Sequence, residues 1–309
     1  MSAILPEQLY EWCRIPVKEL ERHPNVKIPL RICADSDEMG TMMAMELAEE
    51  IEKNNRRGTT TRAIIPCGPS CWYQPFAAIV NRERISLKRL VVFHMDECLD
   101  WQGSELPMNH PYSFRGIMEK HFYGPIDQDL SVDIENRNWL TSKNIANIEK
   151  LFYDAPIDIA YGGWGQDGHV AYNQARRQPF SRLALDELRN SAIRIQENNV
   201  DTILSLAHRT FGAAYQFVPP MSVTLGMKEI LSAKKIRLFS DTGAWKQTAL
   251  RVALFGPVTA EYPITLLQEH PDALLTATIE TAGHPVSEHL EWDLGLKPGI
   301  CAMRNPLER

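Results

Sequence analysis

Asp167 and His169, a carboxylate and an imidazole two residues apart, lie in the stretch PIDIAYGGWGQDGHVAYNQ at positions 156–174. An imidazole titrating near neutrality takes and gives protons, and a neighbouring carboxylate can orient it. Just ahead of them stand four glycines within seven residues, Gly162, Gly163, Gly165 and Gly168. Glycines let backbone N–H groups approach a ligand closely, which makes Gly163 a candidate substrate contact. The same pattern also suits a glycine-rich turn with a solvated Asp and a capping His. Asp96 and Glu97 form a second acidic pair, with Asp96 a candidate general base or a cap of the following turn and Glu97 a candidate substrate contact. Gly68 and Ser70 in CGPSC, Arg209 in AHRTF and Lys246 in GAWKQ are the donor types that hold a phosphate. Taken singly, each could equally be a surface group.

These residues need elements that bring them together. Ile157, Ile159, Ala160 and Tyr161 read as a buried strand, so the glycine loop leaves its carboxyl end. LRICADS is a first strand, and the segment after it has Met42, Met43, Leu47 and Ile51 at helical spacing behind a cap at Asp35 to Asp37. RAIIPCG is a second strand that ends in a Gly-Pro turn, followed by a helix through Phe76, Ile79 and Val80. RLVVFHMDE, residues 89–97, reads as one strand finishing on the two carboxylates. Ser113 is placed to cap a helix FRGIMEKHF. Residues 178–199 form a polar region with helical patches, and FVPPMSVTLGMKEILSA leads into a strand at 235–241 and a helix AWKQTALRVALF. A helix TLLQEHP and a strand ALLTATIE close the pattern. Strand and helix alternate, which predicts an α/β fold with a mostly parallel sheet covered on both faces. In such sheets ligands sit at the carboxyl ends of strands.

The chain has 309 residues, 44% of them hydrophobic, enough for a sizeable core. Residues 1–29 read as an N-terminal appendage, 30–285 as the α/β domain and 286–309 as a C-terminal extension. The net charge of −6 offers no basic face for nucleic acid. No apolar run approaches the roughly 20 residues that span a bilayer. Six scattered cysteines and no apolar signal segment point to a reducing, cytoplasmic compartment. Cys67 and Cys71 have no second ligand pair at zinc spacing, so no metal is expected. A homo-oligomer stays open.

FHMDE, YSF, GGWGQDGHVAYN, TLGMKEIL and the Lys of GAWKQ follow one another as in the glucosamine-6-phosphate deaminase family, whose fold is shared with 6-phosphogluconolactonases, and the chain resembles that family from about residue 30 to about residue 279. The resemblance implies a modified doubly wound, Rossmann-like fold. It implies an aldose-ketose isomerisation coupled to loss of ammonia from an anionic amino sugar phosphate, without a cofactor. It assigns Asp96 the C1–C2 proton transfer, His169 the ring opening, Asp167 the orientation of His169, Arg209 and Lys246 the phosphate, and Gly68 with Ser70 the phosphate loop. This chain carries Gln174 where the deaminases carry a catalytic glutamate, and CGPSC where they read Thr-Gly-Gly-Thr-Pro. A sugar lactone hydrolase and a non-catalytic sugar-phosphate sensor are the alternative readings.

Overall fold

The structure is a computed structural model that describes residues 4–176 and 182–289. Most of the expected C-terminal extension, with Cys301, and residues 178–181 of the polar region lie outside the described residues. Among the described residues the ten strands are β1 (Leu30–Cys33), β2 (Thr61–Ile65), β3 (Leu90–His94), β4 (Asp96–Leu99), β5 (Arg137–Asn138), β6 (Ile159–Gly162), β7 (Arg194–Glu197), β8 (Met221–Thr224), β9 (Ile236–Ser240) and β10 (Ala273–Thr278). Seven make one sheet in the order β1-β10-β9-β6-β2-β3-β5, and every neighbouring pair in it is parallel.

The central strands are apolar because both faces of the sheet are covered. All four residues of β6 and all five of β9 are buried. Successive side chains go to opposite faces. Ile64, Phe93, Ala160 and Leu238 join one core, whereas Ala63, Ile65, Ile159, Tyr161 and Phe239 join the other. The second core includes Met39, Met43, Leu47 and Ile51 of the helix Ser36–Arg56. That helix starts at Asp35, whose carboxylate accepts from the N–H groups of Asp37 and Glu38.

The expected strand over 89–97 is two strands. β3 ends at His94, the Met95 N–H still donates to Ile65 O at 3.1 Å, and the Met95 carbonyl accepts from Leu225 N at 2.9 Å. Met95 thus hands the chain from one ladder to another. β4 pairs antiparallel with β8, which pairs antiparallel with β7, giving a separate three-stranded sheet. β7 and β8 fall in segments read as helical or as lead-in. β7 alternates half-buried and exposed residues, so its apolar signal is faint. The segment Pro263–Glu269 is a 3-10 helix, and the Ser113 hydroxyl caps the helix Phe114–Met118 through Gly116 N.

The N-terminal residues are tied to the domain. Leu20 and Ile28 are fully buried in the first core, Lys27 N donates to Leu254 O at 2.9 Å, and the buried Arg251 guanidinium reaches Ile15 O at 3.0 Å. Leu20→Ala should therefore cost about 2–5 kcal/mol, as deletion of a core leucine does. Urea unfolding measures it, and a change below about 0.5 kcal/mol would mark this segment as a loosely held appendage.

Candidate active site

From β2 the chain proceeds to β3 and β5 on one side of the sheet, and from β6 to β9 and β10 on the other. The connections after β2 and β6 leave in opposite directions and open a crevice between them, the usual ligand position in a doubly wound sheet. A cavity of about 570 Å³ lies there. It is lined by the loops that follow β2, β6 and β9, by Met95 and Asp96, and by the helix Val200–Thr210. Gly68, Ser70, Asp96, Gly163, His169, Arg209 and Lys246 all face it.

His169 Nδ1 lies 2.6 Å from Asp167 Oδ1, and the His169 N–H donates to the same oxygen at 3.2 Å. The carboxylate is buried and claims the Nδ1 proton, which leaves Nε2 as the nitrogen with a lone pair. Gly165 makes room for the ring: a Cβ there would sit 2.1 Å from His169 Cε1. Gly168 turns the loop with φ +74°, a conformation that a side chain would strain. Tyr172 lies parallel to the imidazole, with ring centroids 6.1 Å apart, and its hydroxyl meets Cys98 Sγ at 3.4 Å.

Burial pushes the Asp96 carboxyl up to about 8, and the neighbouring Glu97 adds to the shift. Glu97 itself is raised to about 7 by burial and held back by backbone donors. Those donors are Cys98 N at 3.0 Å, Phe114 N at 2.8 Å and Arg115 N at 2.7 Å. Glu97 does not line the cavity. The expectation of a substrate contact gives way to a helix cap, because its oxygens are spent on the start of the helix Phe114–Met118.

Arg209, from the helix Val200–Thr210, and Lys246, from the turn after β9, supply two cations. Burial and the nearby guanidinium push Lys246 down to about 8, against the pull of Asp241. Arg209 and Lys246 both line the cavity, whose wall therefore carries two cationic side chains. Gly163 packs the loops together, since a Cβ there would lie 3.3 Å from Phe239 O and 3.7 Å from Gly68 O.

Gln174 also departs from expectation. It is buried, does not line the cavity, and spends both ends of its amide on the start of the helix Val200–Thr210. Nε2 donates to Thr202 Oγ1 at 2.5 Å, and Oε1 accepts from Asn199 N at 3.0 Å. It ties down the start of the helix that carries Arg209 and is not among the residues that line the cavity. Sequence reasoning missed Tyr172, Trp164, Trp245 and Asp241, all of which line the cavity. Their adjacency to His169, Gly163, Lys246 and β9 was the available signal. Among the described residues, no three His, Cys, Asp or Glu side chains cluster as a metal site needs. Nor is any helix among them long and apolar enough to cross a membrane.

No family model matches the chain. Among curated proteins, the glucosamine-6-phosphate deaminase of Yersinia pseudotuberculosis is 31% identical over 261 residues, covering 80% of this chain and 88% of that protein. The glucosamine-6-phosphate deaminase of Pectobacterium carotovorum is 30% identical over 256 residues, with the same two coverages. Among solved structures, a monomeric glucosamine-6-phosphate deaminase of the NagB superfamily superposes with a TM-score of 0.69 at 21% identity, over 82% of this chain and 98% of that one. The 6-phosphogluconolactonase of Trypanosoma cruzi has a TM-score of 0.56 at 17% identity, over 84% and 98% of the two chains, and shares the fold. With that identity carried over most of both sequences, and with the cavity at the switch point of a doubly wound parallel sheet, the chain belongs to the glucosamine-6-phosphate deaminase family.

Proposed function

We propose that this protein deaminates an amino sugar phosphate, converting an aldose into a ketose phosphate and ammonia. The observation that carries this reading is the half-buried Asp96 carboxyl facing the same cavity as the Asp167–His169 pair and the two cations. In the proposed reaction Arg209 and Lys246 hold the phosphate, with Gly68, Ser70 and Gly163 beside it. His169 Nε2 takes the anomeric hydroxyl proton and returns it to the ring oxygen, so the bond from C1 to the ring oxygen breaks and C1 becomes an aldehyde. Ionised Asp96 removes the C2 proton, and the C2–H electron pair forms a C1–C2 double bond as the C1 oxygen takes a proton given up by the substrate's C2 ammonium. Asp96 then returns its proton to C1, leaving an iminium at C2. Water adds to C2 and the C–N bond breaks. One water enters and one ammonia leaves, and no electrons pass to or from a cofactor.

A lactone hydrolase would need only a base for water and no carboxyl aimed at a C–H bond, so the placement of Asp96 favours the deaminase. The described cysteines are all free thiols, which supports a reducing cytoplasmic setting.

Replacing Asp96 by Asn should lower turnover by about 10²–10⁴-fold and stop exchange of the C2 proton with solvent, because a positioned base acts chiefly in the transition state. Substrate affinity should stay within about threefold. Unchanged C2 exchange, followed by NMR in deuterium oxide, would remove Asp96 from this role.

The pH profile follows from two opposed requirements. Asp96 works as a base when ionised, so kcat/KM rises with pH through its value of about 8. Lys246 binds the anion when protonated, so kcat/KM falls as pH rises through about 8. The result is a narrow bell centred near pH 8. A bound phosphate favours the ammonium form, so the alkaline limb of kcat should lie above that of kcat/KM. A flat kcat/KM profile between pH 7 and pH 9 would contradict both assignments.

A further inference from the structure

Lys246 follows Trp245 in the turn Ala244–Lys246, and the indole of Trp245 is the surface on which both cations rest. The Arg209 guanidinium carbon lies 4.9 Å from the ring centroid and Lys246 Nζ lies 5.2 Å from it. The indole is itself held in place, because its N–H donates to the Thr242 carbonyl at 2.8 Å. A second, buried indole, that of Trp164, stands 6.0 Å from Lys246 Nζ. Two like charges on neighbouring elements repel each other, and in an anion's absence nothing about either side chain's length makes them converge. The negative face of an indole supplies the missing attraction, and it acts on both groups at once.

We propose that Trp245 is a positioning residue of the anion site, an aromatic platform that holds Arg209 and Lys246 convergent before an anion arrives. The inference rests on the reading of these two cations as the phosphate-binding pair. Preorganisation of this kind raises affinity by removing the cost of gathering the cations at the moment of binding. Asp241, which lines the same wall, offsets part of the positive charge. The lowered Lys246 ammonium reports the same crowding, with burial and Arg209 both acting on it.

Titration of the full chain with inorganic phosphate at low ionic strength tests the proposal, using the parent, Trp245→Phe and Trp245→Leu. Phe keeps an aromatic face and Leu does not, while both are apolar. Trp245→Leu should bind phosphate about 5- to 30-fold more weakly than the parent, and Trp245→Phe should stay within about threefold. Leu binding as tightly as the parent, or Phe losing as much as Leu, would overturn the platform, because a purely steric role treats the two alike. Should the Leu protein fail to fold, as judged by thermal unfolding, Trp245→Met carries the same comparison against Phe. A parent that does not bind phosphate at all would overturn the anion-site reading itself, and the platform with it.

Discussion

Two carboxyls side by side in a buried place cannot both keep their ordinary acidity, and the active site depends on how Asp96 and Glu97 divide that burden. Glu97 takes three backbone N–H donors, two at the start of the helix Phe114–Met118 and one from its own neighbour Cys98. It has the means to carry charge without water. Asp96 has no such cradle, faces the cavity, and is pushed to about 8. Adjacent groups of the same type thereby end in different settings, one on backbone donors and one on the cavity. The division depends in turn on Met95, where the chain leaves the parallel ladder and enters the small antiparallel sheet. Had β3 continued, these residues would alternate across the main sheet.

The cation pair is the counterpart of opposite sign. Arg209 sits near the end of a helix whose start is tied to the glycine loop through Gln174 and through Asn199, which donates to Ala175 O at 2.7 Å. Near its end the same helix is held by the Tyr112 hydroxyl, 3.1 Å from Leu206 O and 2.7 Å from Thr210 Oγ1. The imidazole loop and the helix that carries Arg209 are therefore tied together. This gives Gln174 a physical reason to be an amide. It presents a donor and an acceptor at once, and a carboxylate in its place would present only acceptors.

The parallel sheet was legible because its strands are buried on both faces and read as unbroken apolar runs; Ile159–Gly162 and Ile236–Ser240 are examples. Asp96, His169, Arg209 and Lys246 were legible as chemical types, and the structure brings them to one cavity. The break at Met95 was not, since Phe93 to Leu99 keeps enough apolar character to look continuous, and only pairing with β8 reveals the turn. β7 was hidden by its half-exposed alternation. Glu97 and Gln174 were misread for a common reason. A polar side chain's partners come from segments far along the chain, Phe114 in one case and Thr202 in the other, and no local pattern announces them. Trp245 was invisible as a site residue because its value lies in what rests on its face.

The claim on which the rest stands is that the cavity moves a proton from C2 to C1 and expels the amine. Incubation with glucosamine 6-phosphate in deuterium oxide, followed by NMR and an ammonia assay, tests it most directly. The account predicts ammonia and ketose phosphate in equal amounts, with deuterium appearing at C1 of the ketose wherever the Asp96 proton exchanges before its return. No ammonia and no ketose from that sugar, together with conversion of a phosphorylated sugar lactone to its acid, would contradict it.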